Sequence, residues 1–133
     1  MKVFVDTNVW LDFLLERQPH YLPSALFLSK AKQLGADILM STNSVVTANY
    51  ICCERAKMPL ENWWLKMEQM RKFVTICAVE PSDIHQAIAE RWFDFEDGVQ
   101  YFAARREGCD LIVTRNTKDF ILSEIPVKTP EEA

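Results

Sequence analysis

Glycine is scarce in this sequence, and its scarcity excludes the common nucleotide-binding motifs. The 133-residue chain contains only three glycines, Gly35, Gly98 and Gly108. They form neither a G-x-G-x-x-G fingerprint nor a P-loop, and both motifs need glycine-rich backbone to approach phosphate groups. Dinucleotide binding is therefore not expected.

Soft metal ligands and hydrophobic spans are also lacking. The four cysteines form no C-x-x-C motif, and only two histidines could join them. A zinc site and a disulfide framework are therefore poorly supported, and buried reduced thiols are expected. No apolar run approaches the roughly 20 uncharged residues that span a bilayer, and no secretory signal begins the chain. These features predict a cytoplasmic protein without a membrane segment.

The charge balance is acidic. Apolar residues make up 49% of the chain, charged residues make up 26%, and the formal net charge is −4. Such a composition predicts one globular domain over residues 1–133. The negative charge argues against non-specific nucleic-acid binding through a basic surface. It leaves open a nuclease, because an acidic metal site contributes to the same total.

Strand and helix patterns alternate along the chain. Strands are predicted at residues 2–5, 37–40, 73–78, 111–114 and 125–129. Helices are predicted at residues 8–17, 22–34, 60–72, 82–92 and 95–107, with another that follows a cap at Thr42, Asn43 or Ser44. Short strands separated by helices indicate an α/β fold with a parallel sheet and helices on both faces.

Polar residues follow the predicted strands at the edge where such folds bind ligands. Asp6 ends the first strand, and Asp119 lies three residues after Asn116, just beyond the 111–114 strand. Asp97 stands three residues after Asp94, a candidate cap of the 95–107 helix. Each acid alone is explained by helix capping. Together they would repel one another by about 4 kcal/mol per pair at 4 Å, so their convergence predicts a cation. Oxygen ligands favour Mg²⁺ or Mn²⁺.

Three segments resemble the PIN-domain family, which includes the VapC-like toxins of bacterial toxin–antitoxin pairs. These segments are VFVDTNVWLDFLL, STNSVVTANYICCERAK and DFEDGVQYFAARREGCDLIVTRNTKDF, in this order along nearly the whole chain. The resemblance implies a three-layer α/β/α sandwich around a central parallel sheet, with an acidic pocket that binds Mg²⁺ or Mn²⁺ and cleaves RNA.

The resemblance also implies roles for individual residues. Asp6, Asp97 and Asp119 match the family's metal-binding acids. Asn8, Thr114 and Asn116 match polar positions that line or brace the pocket. The implied reaction is hydrolysis of an RNA phosphodiester bond, with Asn49 and Asn116 completing the metal shell or positioning water.

Asn49 departs from the family pattern. The family usually has a glutamate in the helix after the second strand, and the residue matched to it here is Asn49. An amide oxygen can bind a hard ion but carries no charge and cannot act as a base. This substitution predicts weaker metal affinity, a single occupied metal position or lost activity. It also supports an alternative in which a degenerate PIN module binds RNA or a protein without cleavage.

The resemblance to the PIN-domain family also implies partners. The resemblance implies a homodimer that binds an antitoxin along a hydrophobic groove, and the candidate surfaces are the PLENWWLKMEQM region and the first two helices.

A phosphatase or receiver domain would also place an aspartate at a strand end. However, a phosphatase motif needs an acid where Asn8 stands, and a receiver needs a lysine where the chain reads VTRN.

Overall fold

A five-stranded sheet runs through the middle of the protein, in a computed structural model that describes residues 1–133. All paired strands are parallel, and their order is β3-β2-β1-β4-β5. The strands are β1 (Lys2–Val5), β2 (Asp37–Ser41), β3 (Val74–Cys77), β4 (Leu111–Val113) and β5 (Val127–Lys128).

Six α-helices connect and cover the strands. They are α1 (Thr7–Leu14), α2 (Tyr21–Gln33), α3 (Thr42–Asn49), α4 (Leu60–Met70), α5 (Pro81–Ala89) and α6 (Phe95–Arg106). A π-helical segment, Tyr50–Arg55, continues α3, and a 3₁₀ turn, Thr117–Phe120, follows β4. None of the helices has both the length and the apolar character to cross a membrane.

Alternation along the strands creates a separate core on each face of the sheet. In β1, Val3 and Val5 face one core, which contains Trp10 of α1, whereas Phe4 faces the other, which contains Phe102 of α6. Successive strand residues point to opposite faces, so a strand covered on both sides is apolar throughout. The two cores make three layers, and the predicted α/β/α sandwich is confirmed.

The strand order reverses beside β1, which lies at the centre of the sheet. The chain adds β2 and β3 on one side of β1 and then crosses to add β4 and β5 on the other. Asp6 leaves the carboxyl end of β1, and its backbone N–H donates to the Val113 carbonyl at the end of β4. Ligands bind at such switch points in open α/β sheets.

Several predicted boundaries differ from the structure at the helix caps. The N-cap of α3 is Ser41, one residue before the predicted positions, and its hydroxyl accepts a hydrogen bond from Ser44 N at 3.0 Å. Helix α5 begins after Glu80, whose N–H donates to Asp83 Oδ2 at 2.9 Å. Asp83 thus completes a capping box from the third helical position, where an acid also serves. The predicted 8–17 helix ends earlier, at Leu14.

Gly98 allows α6 to pack closely against the segment before it. A β-carbon at Gly98 would lie 2.7 Å from Trp92 Cβ, closer than real contacts allow. The Trp92 ring stacks on Tyr101 with ring centroids 4.9 Å apart. Tyr101 and Phe102 are both buried in the core on this face of the sheet. The packing fixes the first turn of α6, where Asp97 lies.

Trp63 and Trp64 have opposite environments. Trp63 is 3% exposed within the core, whereas Trp64 is 57% exposed on α4. Adjacent helical residues point about 100° apart, so only one of them can face the sheet. All four cysteines are free thiols, and Cys53 alone is only partly buried.

Candidate metal centre

Three aspartates converge at the carboxyl edge of the sheet. One carboxylate oxygen of each lies within 4.8 Å of the other two, in a cluster formed by Asp94, Asp97 and Asp119. Asp94 is the N-cap of α6 and accepts a hydrogen bond from Asp97 N at 3.1 Å. Asp119 comes from the 3₁₀ turn after β4. Two separate parts of the chain thus supply the cluster.

Asp6 is held rigidly beside this cluster. Its Oδ2 accepts a hydrogen bond from the Thr114 hydroxyl at 2.8 Å, and its Oδ1 accepts one from Thr7 N at 2.7 Å. Asp6 is only 2% exposed. It also serves as the N-cap of α1, so one side chain both begins this helix and lines the acidic pocket.

Gln100 connects three elements under the site. Its Nε2 donates to Thr7 Oγ1 at 3.1 Å and to Ser44 Oγ at 2.9 Å, and it approaches Asp6 Oδ1 at 3.5 Å. Its Oε1 accepts a hydrogen bond from Ser41 Oγ at 2.6 Å. Gln100 is fully buried. A buried and satisfied polar network of this kind fixes α1, α3 and α6 relative to one another.

The acidic pocket is a cavity of about 220 Å³ over these residues. Four of its ten lining residues are acids, and none is lysine, arginine or histidine. The acids that line it are Asp6, Asp94, Glu96 and Asp97. The negative charge inside the pocket is therefore not balanced by any side chain on its walls.

The pKa values of the acids rise because they are buried together. Burial raises the pKa of Asp97 to about 8, and the negative charges of Asp6, Asp94 and Asp119 add to the effect. Burial also raises the pKa of Asp6, although hydrogen bonds from Thr114, Thr7 and Gln100 oppose the rise. The pKa of Glu96 is raised by burial and by the charge of Asp6. A positive charge nearby would oppose these rises, because an opposite charge favours the ionised form of a carboxyl group.

The donor set fits a divalent metal ion of the hard class. The cluster offers carboxylate oxygens within 4.8 Å of one another, and no thiol or imidazole lines the pocket. Two like charges at about 4 Å repel by about 4 kcal/mol at an effective dielectric of 20. A bound cation removes this repulsion, and oxygen ligands favour Mg²⁺ or Mn²⁺ over zinc or copper.

The predicted amides and the predicted hydroxyl lie at this site. Asn8 and Asn116 both line the acidic pocket. Thr114 donates to Asp6, and it also accepts a hydrogen bond from Asn116 N at 3.1 Å. Asn8 Nδ2 lies 3.5 Å from Thr114 Oγ1. The structure thus brings Asn8, Thr114 and Asn116 together around Asp6, as the resemblance implied.

Asn49 is the predicted site residue that the structure does not bring to the pocket. Its side-chain amide donates to Cys53 Sγ at 3.8 Å, within the same helical run. Thr47 and Ile51 line the pocket instead. A residue two positions along a helix is rotated by about 200°, so Thr47 and Asn49 point in nearly opposite directions. The expected contribution of Asn49 to a metal shell therefore has no support in the geometry.

Three residues of the site were missed or given only a capping role from sequence. Asp94 was assigned as a helix cap, which is correct, but its carboxylate also belongs to the cluster of three aspartates. Glu96 and Gln100 were not singled out. The signal available for Glu96 was its position between Asp94 and Asp97, whereas a glutamine inside a helix carries no sequence signal of its own.

Comparison with known proteins places the chain in a family. The sequence matches the family described as PIN domain over residues 2–118. It is similar to Ribonuclease VapC1 of Aquifex aeolicus (strain VF5), with 30% identity over 139 residues that cover 98% of this chain and 92% of that protein.

Solved structures share the fold. VapBC2 from Rickettsia felis, bound to a DNA fragment from its promoter, matches with a TM-score of 0.72 at 14% identity and covers 97% of this chain and 98% of that one. Mycobacterium tuberculosis VapC20, described as a toxin that cleaves the sarcin–ricin loop, matches with a TM-score of 0.66 at 15% identity over 83% and 86% of the two chains. FitAB bound to a DNA fragment matches with a TM-score of 0.57 at 13% identity over 97% and 95%.

Proposed function

Because the chain belongs to the PIN-domain family, we propose that it is a metal-dependent endoribonuclease and the toxin of a toxin–antitoxin pair. The observation that carries the proposal is the convergence of Asp94, Asp97 and Asp119 beside Asp6, without a basic side chain in the pocket. The similarity to Ribonuclease VapC1 supports RNA as the substrate class.

The pocket residues divide into ligands and positioning groups. Asp6, Asp97 and Asp119 would hold Mg²⁺ or Mn²⁺, with Asp94 at the same cluster. When bound, such an ion supplies a nucleophilic water and neutralises phosphate charge. The amides of Asn8 and Asn116 line the pocket, where they can donate hydrogen bonds to a phosphate oxygen or a water.

Thr114 and Gln100 act on Asp6 rather than on substrate. The Thr114 hydroxyl donates to one oxygen of Asp6, and Thr7 N donates to the other, with Gln100 Nε2 nearby. These contacts hold the carboxylate in one orientation. They also lower the cost of its negative charge, since hydrogen bonds to a carboxylate favour the ionised form.

A comparison of RNA cleavage by the unaltered chain and by the Asp6→Asn variant tests the proposed function. We expect the unaltered chain to cleave a panel of tRNA and ribosomal RNA fragments with Mg²⁺ or Mn²⁺ but not with chelator. The Asp6→Asn variant should cleave none of them. The matched control is Asp110→Asn, at the opposite, amino end of β4, which should cleave as well as the unaltered chain. Cleavage that persists in Asp6→Asn would overturn the assignment of the site.

A second candidate function is RNA or protein binding without cleavage. The observation that favours it is the α3 wall of the pocket, where Thr47 and Ile51 contribute no carboxylate. In this case the metal site has lost an acid that the family usually supplies, and a neutral wall binds a hard ion less tightly.

Adding an acid to the α3 wall separates the two candidates. Thr47→Glu should raise Mn²⁺ affinity in titration calorimetry, whereas Asn49→Glu should leave it unchanged because Asn49 lies outside the pocket. Cleavage that appears only in Thr47→Glu would identify a binding module whose chemistry has been lost. A gain of affinity in Asn49→Glu instead would place that residue in the metal shell.

The partner we propose is a protein antitoxin. Exposed apolar side chains lie on α2 and α4, where Leu22, Leu26, Trp64 and Leu65 are each more than half exposed. Helix α2 is the second of the two N-terminal helices that the sequence indicated, and α4 carries the Trp-containing region. The similarity to VapBC2 of Rickettsia felis supports this partner. A homodimer is part of the same proposal.

A further inference from the structure

An apolar pocket opens beside the acidic pocket, at the carboxyl ends of β2 and β3. Its volume is about 510 Å³, within the 300–1,000 Å³ typical of small-ligand sites. Val46, Val79 and Ile84 form apolar parts of its wall, with Phe95 from the first turn of α6. Asn43 adds a polar amide.

The two pockets share a wall at the start of α6. Glu96 lines both of them, Phe95 precedes it, and Asp97 follows it. Three successive residues therefore give an aromatic surface, a shared wall and a candidate metal ligand. A nucleic acid strand with one phosphate in the acidic pocket can therefore reach the apolar pocket by passing Phe95.

The apolar pocket presents exposed surface to solvent. Phe95 is 48% exposed and Val46 is 71% exposed, although both lie next to a polar site. Asn43 is also exposed, in the first turn of α3. An aromatic face together with an amide matches a nucleobase, which has a flat π surface and a hydrogen-bonding edge.

We propose that this apolar pocket binds one unpaired nucleobase of the RNA, next to the phosphodiester that enters the acidic pocket. The base stacks on Phe95, and the Asn43 amide pairs with its edge. The proposal rests on the proposed function, since the Glu96 wall that both pockets share places the occupant next to the phosphate of the same RNA. It makes Phe95 a determinant of affinity and Asn43 a determinant of base preference at one nucleotide.

Binding of short fluorescent oligoribonucleotides tests the proposal without requiring cleavage. Fluorescence anisotropy with chelator present, and again with Ca²⁺, compares the unaltered chain with Phe95→Ala. Stacking of one base on an aromatic ring predicts a loss of affinity of about 5- to 150-fold. Phe95→Trp should retain affinity, because a larger ring still stacks.

Phe93→Ala is the matched control. Phe93 lies two residues before Phe95, is 97% exposed and does not line the pocket. Its removal should leave affinity unchanged. Equal losses in Phe93→Ala and Phe95→Ala would overturn the proposal, since they would indicate a general effect of aromatic residues on this surface.

An abasic scan distinguishes a base from other occupants. Removal of the base at one position of the oligonucleotide should weaken binding to the unaltered chain and should have no further effect on Phe95→Ala. If removal of each base has the same effect on both proteins, the base pocket is wrong. Uniformly weaker binding with a changed mass in light scattering would instead show that a second copy of the chain covers this surface.

Cleavage measured separately keeps the two proposals apart. Metal-dependent cleavage with no role for Phe95 in binding would leave the nuclease standing and reject the base pocket. Binding that depends on Phe95 without any cleavage would support the base pocket and reject the nuclease. Failure of the unaltered chain to bind any oligonucleotide in either buffer overturns the base pocket.

Discussion

Buried carboxylates occur in this protein in two contrasting environments. Asp12 and Asp83 are essentially inaccessible to solvent, and each contacts an arginine. Asp6 and Asp97 are also buried, but the pocket that they line contains no basic residue. The same residue type thus has a compensated environment in one region and an uncompensated one in the other.

Asp12 is the best-compensated acid in the chain. Its Oδ1 accepts a hydrogen bond from Arg17 Nε at 2.9 Å, and its Oδ2 accepts one from Arg115 Nε. Arg115 follows Thr114, and its backbone N–H donates to Asn8 Oδ1 at 3.4 Å. The ion pair therefore anchors α1 to the segment that leads from β4 to Asn116.

The contrast indicates which acids stabilise the fold and which serve a ligand. An ion pair supplies the opposite charge from within the chain, so the folded state is complete without a bound ion. Burial raises the pKa values of Asp6 and Asp97, and the charge of neighbouring acids adds to the rise, while no basic side chain lines the pocket to oppose it. Such unpaired, converging acids are typical of a functional site.

Asp12→Asn should give the largest loss of stability. The substitution removes the charge that both Arg17 and Arg115 contact, and because the two arginines stay partly exposed to solvent, we expect a loss of about 1–3 kcal/mol from the weakened hydrogen bonds. Urea denaturation measures the change in the free energy of unfolding. Asp97→Asn is the matched variant from the acidic pocket and should not lose stability; a loss as large as that of Asp12→Asn would remove the contrast between the two environments.

The pH dependence of stability should sharpen the contrast at intermediate size. The pKa of Asp97 rises from 3.8 to about 8 on folding, so its protonated form is favoured in the folded state. Its contribution to stability is therefore fully present below pH 4 and is lost as the pH rises toward 8.

Asp97→Asn removes this titration. In chelator, the variant should lose less stability than the unaltered chain between pH 4 and pH 8, as measured by urea denaturation at a series of pH values. Identical pH profiles for the two proteins would show that Asp97 does not carry the raised pKa.

Arg71→Ala should have the smallest effect. Arg71 pairs with Glu68 at 3.0 Å, but their side chains are 69% and 62% exposed. Exposed pairs three residues apart on a helix contribute under about 0.5 kcal/mol, and salt screens them. Thermal unfolding at low and high salt checks this expectation. A loss above 1 kcal/mol would mean that arginine pairing alone, without burial, distinguishes the two classes of acid.

The order of elements was predictable because it depends on local pattern. Apolar runs bounded by polar turns gave the strands, and 3.6-residue periodicity gave the helices. Cap positions were less accurate, as at Ser41 and Glu80, because several neighbouring polar residues can cap and the competition among them is decided by packing.

The candidate site was predictable where its residues follow strands or begin helices. Asp6, Asp119 and Asn116 lie next to β1 or β4, and Asp97 lies in the first turn of α6. Their roles as ligands remain predictions, although the structure places them at one edge of the sheet. Asn49 could not be placed from sequence, since a match to a family pattern does not reveal which side of a helix faces the pocket.

The sequence by itself determined the parallel α/β/α architecture and the edge of the sheet at which acids gather. Both follow from residue periodicity and from the polarity of parallel strands. Only the tertiary structure decided that Thr47 rather than Asn49 faces the pocket, that Gln100 ties three helices together, and that Asp12 is neutralised by arginines. These choices depend on how each helix is rotated against the sheet. Successive helical residues point about 100° apart. Packing between segments far apart in the chain decides which of them face the pocket.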